Sequence, residues 1–241
     1  MKNLRKYGLF VAMIAGVLVG VVGCFSNNTP ERTYFSVDYT LNTQPREASP
    51  KYDKTVVIQN VTSALAYDRQ EIVYRANPYQ FQYYWYRLWA SKPRKMLREL
   101  ITNHLRYTNL FRSVSSMIED RLPDYLLDID INAIEELDVS QKEWYAHLSL
   151  RFTLQNVEDN RIVWSYEFDS RRAVADNQPV YVVKAMSELL DAELVRTFKD
   201  LDETLSQKSL NRHEAPESAS SVADAATPQD QPSATLINGR N

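Results

Sequence analysis

The feature that most constrains the fold is a period of two in the apolar residues of two neighbouring segments, residues 144–154 and 162–168. Successive side chains of a β-strand point to opposite faces of a sheet, so a period of two predicts strands with one buried face. Residues 157–160, with the sequence VEDN, supply a turn between them. We therefore predict a long antiparallel hairpin. Its buried face consists of Trp144, Ala146, Leu148, Leu150, Phe152, Leu154, Ile162, Trp164, Tyr166 and Phe168.

Further segments predict the rest of one domain. Residues 127–131 repeat the alternation, and residues 54–61 and 71–75 are rich in β-branched side chains, which favour strands. Apolar residues at helical spacing follow Pro93 and Pro179, and proline suits the first turn of a helix. Each predicted helix has one apolar face that needs a sheet to cover it. We predict an α+β fold, with a mostly antiparallel sheet of about five strands and two helices packed on one face.

The N-terminus predicts export. Lys2, Arg5 and Lys6 precede fifteen uncharged residues, Gly8 to Val22. Such a basic start followed by an apolar run is typical of a secretory signal peptide. The run is shorter than the roughly 20 residues that a spanning helix needs. We therefore expect residues 1–23 to be removed.

The only cysteine follows this run. Residues 21–24, VVGC, resemble the lipobox of bacterial lipoproteins, which implies that the thiol of Cys24 accepts diacylglycerol. Each buried methylene contributes about 0.8 kcal/mol, so two or more acyl chains hold a protein stably on a bilayer. In Gram-negative envelopes an Asp after the cysteine commonly retains a lipoprotein at the inner membrane. Phe25 and Ser26 follow here, which favours an outer-membrane lipoprotein that faces the periplasm. The alternative is an ordinary secreted protein with a free thiol.

The remaining boundaries follow from composition. Residues 24–33 are expected to be a short linker and residues 34–205 the folded domain. Residues 206–241 are rich in Ser, Ala, Pro and polar side chains, which predicts a disordered tail. With a single cysteine, no internal disulfide can support the domain.

Composition argues against nucleic-acid and nucleotide binding. The formal net charge is -3, and no cluster of Lys and Arg offers the basic face that nucleic acids require. Between residues 24 and 238 there is no glycine. Phosphate-binding loops need glycine for positive φ and for close approach of the backbone. The sequence therefore predicts no nucleotide bound in a Walker or Rossmann manner.

The sequence also argues against an enzyme. A nucleophile elbow of the G-x-S-x-G type is missing along with the glycines. His147 and Ser149 share a strand face, where an imidazole could activate a hydroxyl, but the alternation places them on a solvated face. Glu135 and Glu136 point to opposite faces of a strand, so they do not form a catalytic pair. We predict no catalytic residue, no cofactor and no metal site.

Four segments in order resemble the ABC-type transport auxiliary lipoprotein family. They are DRQEIVYR (68–75), YWYRLWASKPRKMLRELITNHL (84–105), LFRSV (110–114) and DYLLDIDINAIEE (124–136). The last is similar to the family pattern YxLxxxIxxFE, although residues 133–138 lack the aromatic residue that precedes the acidic one in many members. The resemblance covers about residues 34–205.

This resemblance implies a function in transport. PqiC-like lipoproteins of the family accompany an ABC permease and ATPase and an MCE-type (mammalian cell entry) substrate-binding protein, which move phospholipid or other hydrophobic molecules. The chain would be the membrane-anchored docking or conduit component of such a transporter, and a homo-oligomer is a further expectation. The alternative is a structural or regulatory lipoprotein that binds and activates an envelope-building enzyme.

Residues 79–89 contain seven aromatic side chains. They either cover the sheet as core or remain exposed as a contact surface for a protein or a lipid. Tyr and Trp suit contact surfaces because they bury a large area while keeping a polar tip. We name Arg69, Arg75, Tyr84, Tyr86 and Trp89 as candidate contact residues.

Overall fold

The computed structural model describes residues 30–38, 49–118, 121–140, 142–176 and 178–214. The chain divides into two compact units, residues 1–199 and 200–241. The strands are β1 (Thr33–Phe35), β2 (Tyr52–Ser63), β3 (Glu71–Asn77), β4 (Gln80–Trp89), β5 (Phe111–Ser115), β6 (Tyr125–Ser140), β7 (Glu143–Asn156) and β8 (Ile162–Val174). The helices are α1 (Pro93–Tyr107) and α2 (Pro179–Glu214).

The described strands form one mixed sheet of eight strands, organised around the long strand β6. On one edge β6 pairs with β7 antiparallel, and on the other it pairs first with β2 and then with β3, both parallel. Strands β5 and β1 also pair parallel, with β2 and β4 respectively. The α+β class is confirmed, but the predicted number and direction of strands were wrong. Alternation reveals which face of a strand is buried, and it carries no information on the direction of the neighbouring strand.

Both helices cover the same face of the sheet. Leu97, Ile101 and Leu105 of α1 are fully buried. His104 of α1 lies 5.6 Å from the ring of Phe198 of α2, and Phe198 packs edge-on against Phe152 of β7 at 6.4 Å. An aromatic contact thus links the two helices and the central sheet.

The ends of α2 differ in how well the sequence predicts them. The helix begins at Pro179, as expected from the helical spacing that follows this proline. It continues to Glu214, whereas the sequence predicts an ordered domain only to residue 205. Residues 206–214 are therefore helical rather than part of a disordered tail. The predicted tail beyond residue 214 lies outside the described residues.

A β-bulge in β6 decides which side chains the second half of that strand buries on each face. Ile131 lies opposite Leu150 of β7, but Ala133 lies opposite Ser149, so Asn132 is an additional residue in the ladder. Because the side-chain period is two, one extra residue exchanges the two faces. Residues 127, 129 and 131 face the helices before the bulge, whereas residues 134 and 136 do so after it.

Candidate functional site

The most extensive polar cluster within the described residues is centred on Glu135, on the sheet face opposite the helices. The Glu135 network consists of Tyr67, Arg75, Glu135, His147 and Asp169. Tyr67 donates its hydroxyl to Glu135 Oε2 at 2.8 Å, and Arg75 Nε donates to the same oxygen at 2.6 Å. A second guanidinium nitrogen of Arg75 pairs with Glu135 Oε1. The pair is therefore bidentate, the strong and directional geometry of arginine and carboxylate.

His147 extends this network towards solvent. Its Nδ1 lies 2.8 Å from Glu135 Oε1, and its Nε2 lies 2.9 Å from Asp169 Oδ1. Glu135 and His147 are buried, whereas the side chain of Asp169 is largely exposed. The ring contacts a carboxylate through each nitrogen, so it bridges the buried acid and the surface.

The contacts of Glu135 determine its protonation. Burial alone would raise the pKa of this carboxyl, but hydrogen bonds from His147, Arg75 and Tyr67 outweigh burial and hold the pKa below its ordinary value. The same hydrogen bond to Glu135 raises the pKa of Arg75. Burial and the charge of Glu135 raise the pKa of Tyr67. Glu135 is thus ionised at neutral pH and paired with the Arg75 guanidinium.

The next residue along the strand is the centre of a second cluster on the opposite face. The Glu136 cluster consists of Tyr74, Tyr84, Arg87, Glu136 and Asp138. Tyr84 donates its hydroxyl to Glu136 Oε2 at 3.2 Å and stacks on Tyr74 with ring centroids 4.3 Å apart. The guanidinium of Arg87 lies 4.5 Å from the centre of the Tyr84 ring, within the range of a cation–π contact.

The acids of the Glu136 cluster behave unlike Glu135. Burial, and then the nearby charge of Asp138, raise the pKa of Glu136 to about 7. Burial also raises the pKa of Asp138. Glu136 Oε1 and Asp138 Oδ1 are buried and accept no hydrogen bond from a donor among the described residues. A proton held on this pair of carboxyls would reduce both the repulsion and the cost of burial.

A third polar group lies where the segment before β3 meets α1. Asp68 lies 3.5 Å from Lys92 Nζ and 3.3 Å from Arg94 Nε, at the start of α1. The guanidinium of Arg69 stacks over the ring of Tyr83 at 3.7 Å. These contacts join residues 68 and 69 to the helix and to β4, so they hold the segment between β2 and β3 in place.

The exposed aromatic surface lies on β4. In the pairing of β4 with β3, Tyr83 lies opposite Val73 and Leu88 lies opposite Glu71. The residues of β4 between Tyr83 and Leu88 outnumber those of β3, so they form a bulge. Trp85 in this bulge is 78% exposed and Tyr86 is 39% exposed. Large exposed Trp and Tyr side chains next to arginine are typical of protein contact surfaces. We call Trp85 and Tyr86 the bulge surface.

The sequence can be assigned to a family. The model of the ABC-type transport auxiliary lipoprotein component family matches residues 39–196, well over half of the chain. The chain belongs to this family. Among curated proteins, none matches this auxiliary lipoprotein significantly.

Solved structures share the fold of the auxiliary lipoprotein. A Xanthomonas campestris protein of the DUF330 family matches with a TM-score of 0.62 and 22% identity, over 74% of this chain and 99% of that one. A second, uncharacterized protein matches with a TM-score of 0.57 and 12% identity, over 71% of this chain and 99% of that one. At these identities the likeness shows the fold alone.

Two of the segments that resemble the family meet in the Glu135 network of the auxiliary lipoprotein. Arg75 is the last residue of the IVYR run, and Glu135 is the acidic residue at the end of the strand that resembles YxLxxxIxxFE. Their ion pair joins β3 to β6. The segments are more than fifty residues apart in the sequence, and the fold brings them into direct contact.

The five candidate contact residues occupy different environments. Trp89 is 1% exposed and belongs to the core, so it offers no accessible contact surface. Tyr84 is half-buried in the Glu136 cluster, and Arg75 is committed to Glu135. Arg69 is partly exposed over Tyr83, and Tyr86 is exposed in the bulge surface. Of the five, Tyr86 is the residue whose exposure best suits contact with a partner.

Other predictions from the sequence meet different outcomes. Cys24 lies outside the described residues, and lipidation stays a prediction. His147 and Ser149 were predicted on a solvated face, but each is only 4% exposed. Both ring nitrogens of His147 contact carboxylates, so this imidazole is not positioned as a free base for Ser149.

Two further observations concern the described residues as a whole. Within them, no three side chains of the His, Cys, Asp or Glu types come together in a way that would hold a metal ion. None of the helices in this part of the chain is both long and apolar enough to cross a membrane.

Sequence reasoning overlooked much of this site. No sequence pattern marks Tyr67 or Asp169 as a member of the network. Their contacts with Glu135 and His147 depend on the Asn132 bulge and on the segment that brings Tyr67 over the sheet. Trp85 belongs to the aromatic run of residues 79–89. This run indicated the region of the exposed aromatic surface, but it did not distinguish the buried side chains from the exposed ones. The adjacent glutamates within β6 were the one available signal for two buried acids.

Proposed function

We propose that this auxiliary lipoprotein is the membrane-anchored docking or conduit component of an ABC transporter that works with an MCE-domain protein. Acyl chains on Cys24 hold it at the outer membrane, facing the periplasm. The permease and ATPase supply the energy, and the cargo is phospholipid or another hydrophobic molecule. Membership of the transport auxiliary lipoprotein family is the observation that carries this proposal.

The bulge surface supports a docking function. Trp85 and Tyr86 project from a β4 strand that is fixed on its inner side by the Tyr84–Glu136 hydrogen bond and the Tyr74–Tyr84 stack. A rigid support lowers the entropy lost when a partner binds. Trp and Tyr are also enriched among the residues that carry most of the binding energy of interfaces. We therefore assign the contact with the MCE-domain protein to this surface.

Site-specific photocrosslinking tests the proposal. A photoreactive amino acid replaces Trp85 in the full-length lipoprotein, and intact envelopes are irradiated. The expected product is a crosslink to the MCE-domain protein or to a permease subunit. Tyr107 provides the matched control because it is 55% exposed and lies at the end of α1, away from β4.

The outcomes separate the candidate functions. Crosslinks from position 85 and none from position 107 would support docking at the bulge surface. An envelope-building enzyme captured at position 85, with no transporter subunit, would replace the proposal with the regulatory alternative. Trp85→Ala should weaken co-purification of the MCE-domain protein without lowering the thermal stability, because the side chain is exposed.

Homo-oligomerisation is the remaining element of the proposal. Several copies around a lipid path would present several bulge surfaces to a transporter. The mass of the detergent-solubilised full-length protein, measured by light scattering, tests this. A monomer at cellular concentration would limit the function to docking by a single domain.

A further inference from the structure

We propose that one end of the sheet rests on the lipid surface of the membrane that carries the anchor, with Tyr79 at the interface. This inference rests on the proposed lipidation of Cys24. It concerns a different part of the molecule from the bulge surface. We call this part the turn end and define it by Pro78 and Tyr79 of the β3–β4 turn and by Val139 near the end of β6.

The pairing of the strands brings these residues to the same end of the sheet. Strands β3 and β6 are parallel, with Arg75 opposite Leu137, so both strands finish on the same side. A cleft of about 240 Å³ is lined by Pro78, Val139 and Arg171 of β8. The β3–β4 turn, the end of β6 and the end of β8 are therefore neighbours.

The direction of β1 indicates where the anchored end of the chain comes from. β1 runs parallel to β4, with Thr33 opposite Arg87. β4 starts at the turn end and runs away from it, so β1 also points away from the turn end, and its first residue, Thr33, is the end of β1 nearer to the turn end.

The length of the linker limits how far the membrane can lie from this end. Nine residues lead from Cys24 to Thr33, and at full extension they reach about 30 Å. Eight residues lead from Tyr79 to Arg87, which as a strand span about 26 Å. Even at full extension, the linker can therefore place Cys24 only a few Å beyond Tyr79, so the membrane cannot lie far from the turn end.

The side chains at the turn end suit a lipid interface. Tyr79 is 94% exposed and Val139 is 57% exposed. Tyrosine is enriched at membrane surfaces because its ring enters the acyl boundary while its hydroxyl stays among the headgroups. Arg171 is exposed beside the same cleft and forms no ion pair with another described residue, so its guanidinium is available to lipid phosphate.

Depth-dependent quenching tests this orientation on the full-length lipidated protein. Because lipid occupies the only native cysteine, Tyr79→Cys provides a unique thiol for an environment-sensitive fluorophore. The labelled protein is reconstituted in vesicles of phosphatidylethanolamine and phosphatidylglycerol that contain spin-labelled lipid. Tyr107→Cys is the matched control, since α1 ends next to β5 and the start of β2, at the opposite end of the sheet.

We expect the spin-labelled lipid to quench the label at position 79 several-fold more strongly than the label at position 107. A label at Val139→Cys should behave like the one at position 79. Equal quenching at positions 79 and 107, whether weak or strong, would overturn the orientation. Capture of an envelope protein from position 79, without lipid quenching, would assign the turn end to a protein partner instead.

The controls separate this inference from the proposed function. Stable attachment of the protein to vesicles without quenching at position 79 would overturn the orientation and leave the anchor intact. Loss of attachment in the wild-type protein would overturn both, because the orientation depends on lipidated Cys24. Docking at the bulge surface is measured separately, by the crosslink from position 85.

Discussion

Replacement of Glu136 by glutamine should stabilise the protein at neutral and alkaline pH. Burial and the charge of Asp138 raise the pKa of Glu136 from its ordinary 4.5 to about 7. Between these two values the folded protein retains a proton that the unfolded chain has lost. The contribution of Glu136 to stability is therefore fully present below pH 4.5 and is lost as the pH rises through about 7.

The pKa gives the magnitude. At about 1.4 kcal/mol for each pH unit, the interval from 4.5 to about 7 corresponds to a loss of about 3 kcal/mol. Asp138 titrates with Glu136, so this figure is an upper limit for the effect of one residue. Glutamine has nearly the same shape and still accepts the hydrogen bond from Tyr84, but it does not ionise. The variant and the wild type should therefore differ little at about pH 4 and by up to about 3 kcal/mol at about pH 8.

Urea unfolding, followed by tryptophan fluorescence over a series of pH values, measures this difference. The free energy of unfolding of the wild type should fall relative to that of Glu136→Gln as the pH rises. Glu135→Gln is the control, because the pKa of Glu135 is lowered and its stabilisation is present at neutral pH and lost in acid. Parallel pH profiles for the wild type and Glu136→Gln would refute the assignment of a protonated Glu136.

Three other predictions concern the Arg75–Glu135 ion pair, the core and the lipid anchor. Arg75→Met leaves the buried carboxylate of Glu135 without its cation and should lower the free energy of unfolding in urea by about 3–5 kcal/mol. The double variant, Arg75→Met with Glu135→Leu, should lose less stability than the sum of the two single variants. Strict additivity would contradict the coupling. Phe152 is fully buried beside Trp164, Phe168 and Phe198, so Phe152→Ala should cost about 3–5 kcal/mol by calorimetry, and a cost below about 1 kcal/mol would contradict this packing. Cys24→Ser should move the protein from membranes to the soluble periplasm in cell fractionation, and unchanged membrane attachment would contradict the anchor.

The sequence predicted the strands, turns and helices whose residue pattern reflects the local geometry of that element alone. The five alternate residues from Ala146 to Leu154 are all fully buried, as the period of two requires. Asn160 in the predicted turn adopts a positive φ of 55°, which asparagine tolerates better than most residues. Leu97, Ile101 and Leu105 bury the face of α1 that helical spacing indicates. Local periodicity is sufficient for these features.

Features that depend on distant parts of the chain could not be predicted in this way. β2 and β3 are parallel to β6 although nothing in either strand specifies a direction. The bulge at Asn132 could not be predicted either, since no glycine or proline marks it in the sequence. The alternation places His147 and Ser149 on the correct face of β7, away from Leu148 and Leu150. That face is covered rather than solvated, because Tyr67 and Glu135 lie against it, and these contacts come from distant parts of the chain.

The two buried acids explain how a domain without disulfides fixes the position of an exposed hairpin. Arg75 of β3 binds Glu135, and Tyr84 of β4 binds Glu136, so each strand of the hairpin makes one polar contact with β6, on opposite faces of the sheet. Apolar packing tolerates small shifts, whereas hydrogen bonds weaken steeply when their geometry changes. Contacts on both faces also oppose rotation about either one. The β3–β4 hairpin, which carries Tyr79 and Trp85, is therefore held in a defined orientation. Such a fixed support suits both the partner contact and the membrane contact that we propose.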